Sequence, residues 1–192
     1  MLVKKLIGNH CYLSPISLNH AELWAEWMND LEVTIPLGDE AYTIITVENQ
    51  RDLISEMIKN NVHVFSICDI ETDTVIGRSM LLGVDLVNRT ARFGIAIGNK
   101  EFWNKGYGQE ATKLTLDYGF NLLNLHSIML GTFSFNERAI KCYKNAGFKE
   151  IGRRRQARII GDKKFDVVFM DILAEEFESS EVLKVLQEQE EN

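Results

Sequence analysis

The sequence lacks the residue patterns that build disulfide frameworks and metal centres. It has three cysteines in 192 residues, Cys11, Cys68 and Cys142, and none of them forms a C-x-x-C motif. An odd number of unpatterned thiols argues against disulfides and zinc, and favours a reducing compartment. The four histidines also lack ligand spacing, so we expect no metal cofactor.

Long apolar runs and an excess of basic residues are also missing. No stretch reaches the roughly 18 apolar residues of a membrane span, and residues 1–8 contain no apolar core of signal-peptide length. The net charge is −7, and residues 174–192, with seven acids and one base, carry −6 of it. We therefore expect a cytoplasmic protein that binds neither membranes nor nucleic acid.

What is present is enough apolar sequence for one packed domain, with 45% hydrophobic and 26% charged residues. We assign residues 1–173 to the domain and 174–192 to an acidic extension. The apolar stripe of this extension fits a helix packed on the domain, a helix across a homodimer, or a frayed end. Periodicity and turn residues predict strands at 12–16, 62–68, 75–82, 91–97 and 127–133, a hairpin over 149–173, and helices after Ser17 or Asn19 and at 46–60, 106–123 and 136–145.

Residues 103–109 have the composition of a phosphate-binding turn between a predicted strand and a predicted helix. The first N–H groups of a helix have no intrahelical partner and, together with the helix dipole, attract phosphate. Gly106 and Gly108 lack the Cβ atoms that would hold a ligand away from the backbone. Glycines at such a junction also occur for structural reasons alone, so the loop by itself leaves both interpretations open.

A second segment, about 30 residues downstream, carries a resemblance to a known family. Asn136, Ala139, Tyr143, Gly147 and Phe148 follow the spacing N-x-x-A-x-x-x-Y-x-x-x-G-F. Together with the G-x-G loop, this segment resembles the GNAT superfamily of acyl-CoA N-acetyltransferases, over roughly residues 12–173. Finer similarity at 124–128, 136–148 and 161–170 points to the branch that includes ribosomal-protein N-terminal acetyltransferases of the RimJ/RimL type and the spermidine acetyltransferases.

The resemblance implies an α/β (mixed α+β) fold. This is a GNAT-like single domain whose central mixed, mostly antiparallel sheet has six or seven strands, with helices on both faces and an acidic C-terminal tail helix. It also implies acetyl-CoA as cosubstrate, with the pantetheine arm between splayed strands 91–97 and 127–133. The residues expected to bind it are Ala96, Ile97, Trp103, Asn104, Lys105, Gly106, Tyr107, Gly108, Gln109, Asn136, Ala139 and Lys144.

Tyr143 is the expected catalytic residue. The implied reaction transfers the acetyl group to a primary amine in a direct ternary complex. A thiolate leaving group has a conjugate-acid pKa of about 8.5, and a phenol with a pKa near 10 can donate a proton to it. A buried aromatic on the helix face is the alternative for Tyr143, and Asn136 also fits a plain helix cap. Cys142 is expected to face away from Tyr143, because helix neighbours point about 100° apart.

Two positions depart from the family pattern. Trp103 stands where the pyrophosphate motif has Gln or Arg, and we expect its contribution to come from the backbone. Arg92 stands at the start of the fourth predicted strand, where many relatives have a glutamate credited with a role as base. The carboxylates that could replace it, each of which also fits a solvated surface charge, are Glu32, Asp39, Glu40 and Glu101.

One basic cluster, in the predicted hairpin, has two interpretations. It fits a solvated surface, or contact with an acidic partner or with the cofactor's 3′-phosphate. Its members are Arg153, Arg154, Arg155, Arg158, Lys163 and Lys164.

The acceptor stays open between a protein N-terminus and a small amine such as a polyamine. An α-ammonium costs about 1 kcal/mol to deprotonate at pH 7, and a lysine-like ammonium about 4–5 kcal/mol. Without the usual glutamate, an α-amine needs less help from the enzyme. A wide cleft would favour a protein N-terminus, and a pocket lined by carboxylates would favour a polyamine. A domain that binds acyl-CoA without turnover, as a sensor or scaffold, is the alternative from another class.

Overall fold

The computed structural model describes residues 2–178 and 181–190, and an eight-stranded sheet runs through its centre. The order of the strands is β1-β2-β3-β4-β5-β6-β8-β7. Neighbouring strands are antiparallel, except that β5 and β6 are parallel. The strands are β1 (Leu6–Ile7), β2 (Cys11–Pro15), β3 (His63–Asp69), β4 (Val75–Asp85), β5 (Thr90–Ile97), β6 (Ser127–Phe133), β7 (Lys149–Ile160) and β8 (Lys163–Leu173).

The mixed, mostly antiparallel sheet is confirmed, with one strand more than the six or seven predicted. The extra strand is β1, which has two residues and pairs with β2. Two residues are too few for an alternating pattern to be recognised in sequence. The strand predicted at 127–133 matches β6, and that predicted at 75–82 extends three residues further in β4.

Helices cover both faces of the sheet, as predicted. One face carries α1 and α3, whose Trp24 and Ile54 are fully buried. The other carries α4 and α5, which pack on residues such as Phe93 and Ile128. The helices are α1 (Ala21–Asn29), α2 (Leu31–Thr34), α3 (Val47–Lys59), α4 (Tyr107–Asp117), α5 (Glu137–Asn145) and α6 (Glu181–Glu190).

The acidic extension forms α6, and its first turn packs on the domain. Oδ2 of the buried Asp117 accepts hydrogen bonds from the N–H groups of Glu181 and Val182, at 3.0 and 3.1 Å. Val182 is buried, whereas three further apolar side chains of the predicted stripe stay exposed: Leu183, Val185 and Leu186. The described helix therefore docks through a buried cap and not along its whole apolar face.

A partly buried clamp joins α4 to the turn between β1 and β2. The carboxylate of Glu110 accepts three backbone hydrogen bonds, from Asn9 at 2.6 Å and from His10 and Cys11 at 2.8 Å. Desolvation alone would raise the pKa of Glu110, but these N–H donors outweigh it and the pKa is lowered. Because α4 begins three residues earlier, the clamp fixes the position of the loop at 103–109.

Glu110→Gln is expected to lower the free energy of unfolding by about 2–3 kcal/mol at pH 7, because the amide keeps one acceptor oxygen and turns an NH₂ group toward N–H donors. A lowered folded-state pKa stabilises the fold above the unfolded value of about 4.3, and this contribution is lost as the pH falls through the folded value. Urea unfolding of both proteins measures the difference, which should shrink below about pH 4. The control is Glu56→Gln on the exposed side of α3; an equal effect of both substitutions would refute the clamp.

Candidate active site

A cleft opens where β5 and β6 separate. Their parallel pairing runs from Thr90–Ser127 to Arg92–Met129. Beyond this point, within the described chain, β5 is paired with β4 alone and β6 with β8 alone. The wedge between them is part of a cleft of about 910 Å³, a volume suited to a cofactor and a second small ligand.

The predicted phosphate-binding loop lies at this cleft. Asn104, Gly106, Gly108 and Gln109 line it, and Gly106 caps α4 with a left-handed φ of +89°. A Cβ atom built on Gly106 would meet nothing within 4 Å. The glycine is therefore required by backbone conformation and not by lack of space. The first N–H groups of a helix have no intrahelical partner, and those of α4 belong to a turn whose Gly108 and Gln109 line the cleft.

Tyr107 and Lys105, in the same loop, are absent from the lining of the cleft described here. The Tyr107 hydroxyl donates a 2.6 Å hydrogen bond to Asp69 Oδ1, which raises the pKa of Tyr107 to about 12. Its ring packs edge-on against Phe102. Tyr107 therefore anchors the loop to β3 from behind, and any contact it makes with a cofactor is through its main chain.

Trp103 contributes a side-chain interaction that the sequence did not suggest. Its indole Nε1 donates a 2.7 Å hydrogen bond to the carbonyl of Ile97, at the end of β5. The guanidinium of Arg138 lies 3.9 Å from the centre of the indole ring, within the range of a cation–π contact. Trp103 thus links the end of β5 to α5 across the cleft, where the common motif has Gln or Arg.

One face of α5 forms the opposite wall. Asn136 is the N-cap, its Oδ1 accepting a hydrogen bond from the N–H of Ala139 at 3.1 Å, and both residues line the cleft. The predicted Lys144 is exposed and outside the lining. The lining residues of α5 that sequence analysis did not assign to the site are Arg138, Lys141, Cys142 and Asn145. Their spacing of three and four residues on one helix was the signal that could have identified them.

Tyr143 lines the cleft from α5 and is 9% exposed. The rings of Phe93 and Phe148 pack edge-on against it, with centroids 6.2 and 5.9 Å away. Burial raises the pKa of the Tyr143 hydroxyl, with the Cys142 thiol adding to the effect. The residue therefore combines the buried aromatic of one interpretation with the position at the cleft required by the other.

Cys142 also lines the cleft, which corrects the expectation that it faces away. Its Sγ would lie 3.7 Å from a Cβ atom on Gly108. The helix turns by 100° per residue, but the cleft wraps around enough of α5 to include both neighbours. Burial raises the pKa of the Cys142 thiol, which keeps it protonated and weakly nucleophilic at neutral pH.

Of the four candidate carboxylates, Glu40 lines the cleft. Glu32 instead forms a 2.6 Å ion pair with Lys100, and Asp39 and Glu101 are exposed outside the lining. Glu40 belongs to a single turn, Asp39–Tyr42, between α2 and α3. Folding therefore selects one acid from four that were equivalent in sequence.

The turn that carries Glu40 is held by Arg158 of β7. This arginine is 5% exposed, so the expectation of a wholly solvated hairpin cluster is wrong at this position. Its Nη2 donates a 3.0 Å hydrogen bond to the carbonyl of Gly38, and its guanidinium lies over the rings of Tyr42 and Phe133. The exposed members of the cluster are Arg153, Arg154, Arg155, Lys163 and Lys164.

Two further properties of the described residues bear on the chemistry. Among residues 2–178 and 181–190, no group of three or more His, Cys, Asp or Glu side chains is arranged to hold a metal ion. In the same part of the chain, no helix is both long and apolar enough to cross a membrane.

The chain is similar in sequence and fold to known acetyltransferases. The family description "Acetyltransferase (GNAT) domain" matches residues 10–149. An uncharacterized N-acetyltransferase p20 of Bacillus licheniformis is 29% identical over 169 residues, covering 86% of this chain and 93% of the relative. Spermidine N(1)-acetyltransferase of Escherichia coli K12 is 28% identical over 160 residues, covering 83% and 78%. The structure of spermidine N-acetyltransferase from Vibrio cholerae in complex with CoA and spermine is 25% identical, covers 88% of this chain and 98% of its own, and superposes with a TM-score of 0.79.

Proposed function

Because the chain belongs to the GNAT acetyltransferase family and transfers the acetyl group of acetyl-CoA to an amine, we propose that the transfer takes place in the wedge between β5 and β6 and that the acceptor is an α-amine. The place of transfer is supported by the end of the β5–β6 strand pairing at Arg92–Met129. Unpaired strand edges offer main-chain groups to an extended ligand. A pantetheine arm of acetyl-CoA fits this edge as a further strand.

The two ends of acetyl-CoA have matching surroundings. The diphosphate meets the N–H groups at the start of α4, where Gly106 and Gly108 leave the backbone accessible. Arg138 and Lys141, on the same side of the cleft, offer positive charge to the phosphates. The carbonyl of Ile97 is already bonded to Trp103, so pairing with the pantetheine uses other groups near Ala96 and Ile97.

Tyr143 acts as the general acid in this scheme. The amine nitrogen attacks the thioester carbonyl carbon, forming the N–C bond, and the C–S bond then breaks. The electron pair leaves with sulfur, and Tyr143 donates a proton to the thiolate. The proton that the attacking nitrogen loses as the amide forms then restores the Tyr143 phenol. A raised pKa keeps the phenol protonated across the neutral range, so a hydrogen bond to the departing sulfur is available at every neutral pH. The same shift makes the phenol a weaker acid, so the proton moves only as negative charge builds up on sulfur.

Direct transfer is favoured over an acyl-enzyme. The one cysteine in the cleft lining of the described chain is Cys142, and burial raises its pKa. A neutral thiol is a poor nucleophile, and among residues 2–178 and 181–190 the side chains that act on it are those of Thr112 and Arg138, neither of which is a general base. Both substrates therefore bind together, and the rate enhancement comes from their positioning and from polarisation of the carbonyl.

Glu40 is our candidate for accepting the proton that the ammonium loses. It is the carboxylate of the cleft lining in the described residues, and it is held there by the contacts of Arg158 with the same turn. It therefore takes over the task that Arg92 cannot perform. Arg92 itself lines the cleft but is exposed at the start of β5.

Charge in the cleft favours an α-amine over a polyamine. The described lining contains four basic residues, Arg78, Arg92, Arg138 and Lys141, and one acid, Glu40. A polycation would require several carboxylates to balance its charge. An α-ammonium requires one proton acceptor and costs about 1 kcal/mol to deprotonate at pH 7, which a single glutamate can supply.

A polyamine is the second candidate, because spermidine acetyltransferases are among the relatives. Thiol release from acetyl-CoA, measured with α-amines and with spermidine, tests the choice. Higher kcat/KM for α-amines supports the proposal, and higher kcat/KM for spermidine would replace it. Coenzyme A binding without thiol release for any amine would instead support the sensor or scaffold alternative.

Glu40→Gln is expected to lower kcat/KM for an α-amine about fivefold at pH 7, which corresponds to about 1 kcal/mol of deprotonation. Above about pH 8 the amine is largely the free base, so the difference should disappear. The measurement is a pH profile of thiol release, with the exposed neighbour Asp39→Asn as control. A loss that is the same at pH 7 and pH 9 would rule out proton acceptance and indicate positioning.

A further inference from the structure

Arg78 is a buried cation whose hydrogen-bonding capacity is largely unused inside the protein. It lies on β4, lines the cleft and is 7% exposed. Its guanidinium carbon is 4.9 Å from the centre of the Trp24 ring, and Nη2 is 3.4 Å from the weak acceptor Sδ of Met28. Nε and Nη1 are buried and have no hydrogen-bond partner among the described residues.

Glu40 faces this guanidinium but does not complete its environment. Its Oε1 lies 4.0 Å from Nη2 of Arg78, too far for a hydrogen bond. Burial lowers the pKa of Arg78, and the charge of Glu40 opposes this effect without cancelling it. Buried charges in native proteins are normally paired and hydrogen-bonded, because an unpaired one is costly. An underused guanidinium in the wall of a cleft indicates that a bound molecule supplies the partner.

Arg158 provides the contrast within the same protein. It is equally buried, and its Nε also has no hydrogen-bond partner among the described residues. However, its Nη2 bonds to the carbonyl of Gly38, its plane contacts two aromatic rings, and it lies outside the cleft lining. Those contacts account for Arg158 as a support for the turn that carries Glu40. Arg78 makes no comparable bond to a main-chain carbonyl in the described chain. Its position at the cleft is therefore the feature to be explained.

The register of the sheet puts Arg78 beside the proposed reaction centre. Arg78 and Ala96 are directly opposite each other in the β4–β5 pair, and opposite residues project from the same face with Cβ atoms about 5 Å apart. Ala96 is part of the edge where the thioester is proposed to lie. An anion held by Arg78 would thus be close to the attacking nitrogen and far from the diphosphate at α4.

We propose that Arg78 forms a carboxylate subsite for the acceptor, so that the enzyme acetylates amines that carry a carboxylate close to the reacting nitrogen. This inference rests on the proposed function, because it takes the acceptor to bind on the Arg78 face of β5. A guanidinium matches a carboxylate with two parallel N–H···O bonds. Arg78 binds the carboxylate and Glu40 faces the ammonium, so the two opposite charges fit the two ends of a zwitterion.

The carboxylate that binds Arg78 could come from two kinds of acceptor, which a panel of amines separates. One is the α-carboxylate of a free amino acid, tested with alanine against alaninamide. The other is the side chain of an acidic first residue, tested with short peptides beginning with Glu against Gln. Spermidine serves as the cation without a carboxylate. For each amine, kcat/KM is measured by thiol release from acetyl-CoA.

Arg78→Met is the decisive variant, because an apolar side chain of similar length suits the contacts with Trp24 and Met28. It is expected to lower kcat/KM for the carboxylate member of at least one pair about tenfold more than for its neutral twin. Each loss is the ratio of wild-type to variant kcat/KM for one amine, so comparing the two losses cancels the intrinsic reactivity of each amine. Arg78→Lys should retain part of the preference, and both variants should keep the wild-type Kd for coenzyme A.

The stability of Arg78→Met is a second measurement, because the loss of a structural arginine would lower the urea midpoint. Removing a buried charge that lacks hydrogen-bond partners at Nε and Nη1 should leave the urea midpoint of Arg78→Met unchanged or raise it. A clear drop would identify Arg78 as a structural residue and overturn the inference. An equal loss of kcat/KM for both members of each pair would also overturn the inference. So would a kcat/KM for spermidine higher than that for every carboxylate-bearing amine. In both cases the proposed acetyl transfer would still stand. If no amine releases thiol, the proposed function fails and the inference falls with it.

Discussion

Tyr143→Phe is expected to lower kcat for acetyl transfer by tenfold or more, with about a hundredfold as the typical size for loss of a general acid. The aromatic contacts with Phe93 and Phe148 remain, because they involve the ring and not the hydroxyl. In the described part of the chain the hydroxyl is in no hydrogen bond that the substitution would break. The Kd for coenzyme A and the urea midpoint should therefore stay close to those of the wild type.

The pH profile distinguishes acid catalysis from positioning. Burial raises the pKa of Tyr143 above that of an ordinary phenol, so the wild-type rate should show no loss of the acid below about pH 10. Tyr118→Phe is the matched control, since its hydroxyl bonds to His63 Nδ1 at 2.9 Å outside the cleft lining. Wild-type turnover by the Tyr143→Phe enzyme would remove this residue from the mechanism.

Gly108→Asp is expected to weaken coenzyme A binding about a hundredfold while the fold is kept or slightly stabilised. A carboxylate about 5 Å from a phosphate charge costs roughly 3 kcal/mol at an effective dielectric constant of 20. The same carboxylate in the first turn of α4 interacts favourably with the helix dipole. A Cβ atom at this position would meet Cys142 Sγ at 3.7 Å and Ile97 Cγ1 at 3.9 Å, which are ordinary contacts.

Gly108→Asp is informative because it should lower the affinity for coenzyme A without lowering the stability of the fold. Gly108→Asn, which has the same shape without the charge, is the matched control and should lose much less affinity. Isothermal titration with coenzyme A and thermal unfolding measure the two quantities. If the Asp and Asn variants bind coenzyme A equally well, no diphosphate lies at the start of α4, and the proposed orientation of the cofactor is refuted.

The remaining predictions divide the cleft by its charges. Arg138 and Lys141 lie on α5, toward the proposed cofactor side, whereas Arg78 and Glu40 come from β4 and the turn before α3. Variants on the first side should change affinity for coenzyme A. Variants on the second side should change the choice of acceptor. This separation gives each kinetic constant a structural location that can be tested independently.

Most of the fold could be predicted because the signals are local. Alternation gave β3 to β6 with small errors at their ends, Thr46 marked the start of α3, and Gly147, with φ +106°, ended α5. The family resemblance supplied what periodicity could not, the separation of strands β5 and β6, whereas their parallel pairing was seen only in the structure. β1 was missed because two residues carry no periodic pattern.

The structure brings the predicted residues to one cleft where main-chain geometry decides their position, and it departs from the prediction where side chains do. Gly106 and Gly108 lie at the cleft as expected, since a strand–turn–helix junction places its free N–H groups by local geometry. Lys144, by contrast, points away and Lys141 lines the cleft. Which lysine of α5 lines the cleft depends on which face of the helix the sheet covers, and the sequence by itself does not contain that information.

The amino-acid sequence alone determined the helix-opening glycine loop, the tyrosine seven residues after the cap at Asn136, and the net charge concentrated in the last residues. Tertiary structure decided which carboxylate reaches the cleft, that Trp103 binds the Ile97 carbonyl, and that Arg78 is buried with donors to spare. The physical reason is the separation along the sequence of the groups that interact. Backbone conformation follows from neighbours a few residues apart. The burial and pairing of a charge depend on groups that only folding brings together, as it brings Glu40 to Arg78 and Gly38 to Arg158.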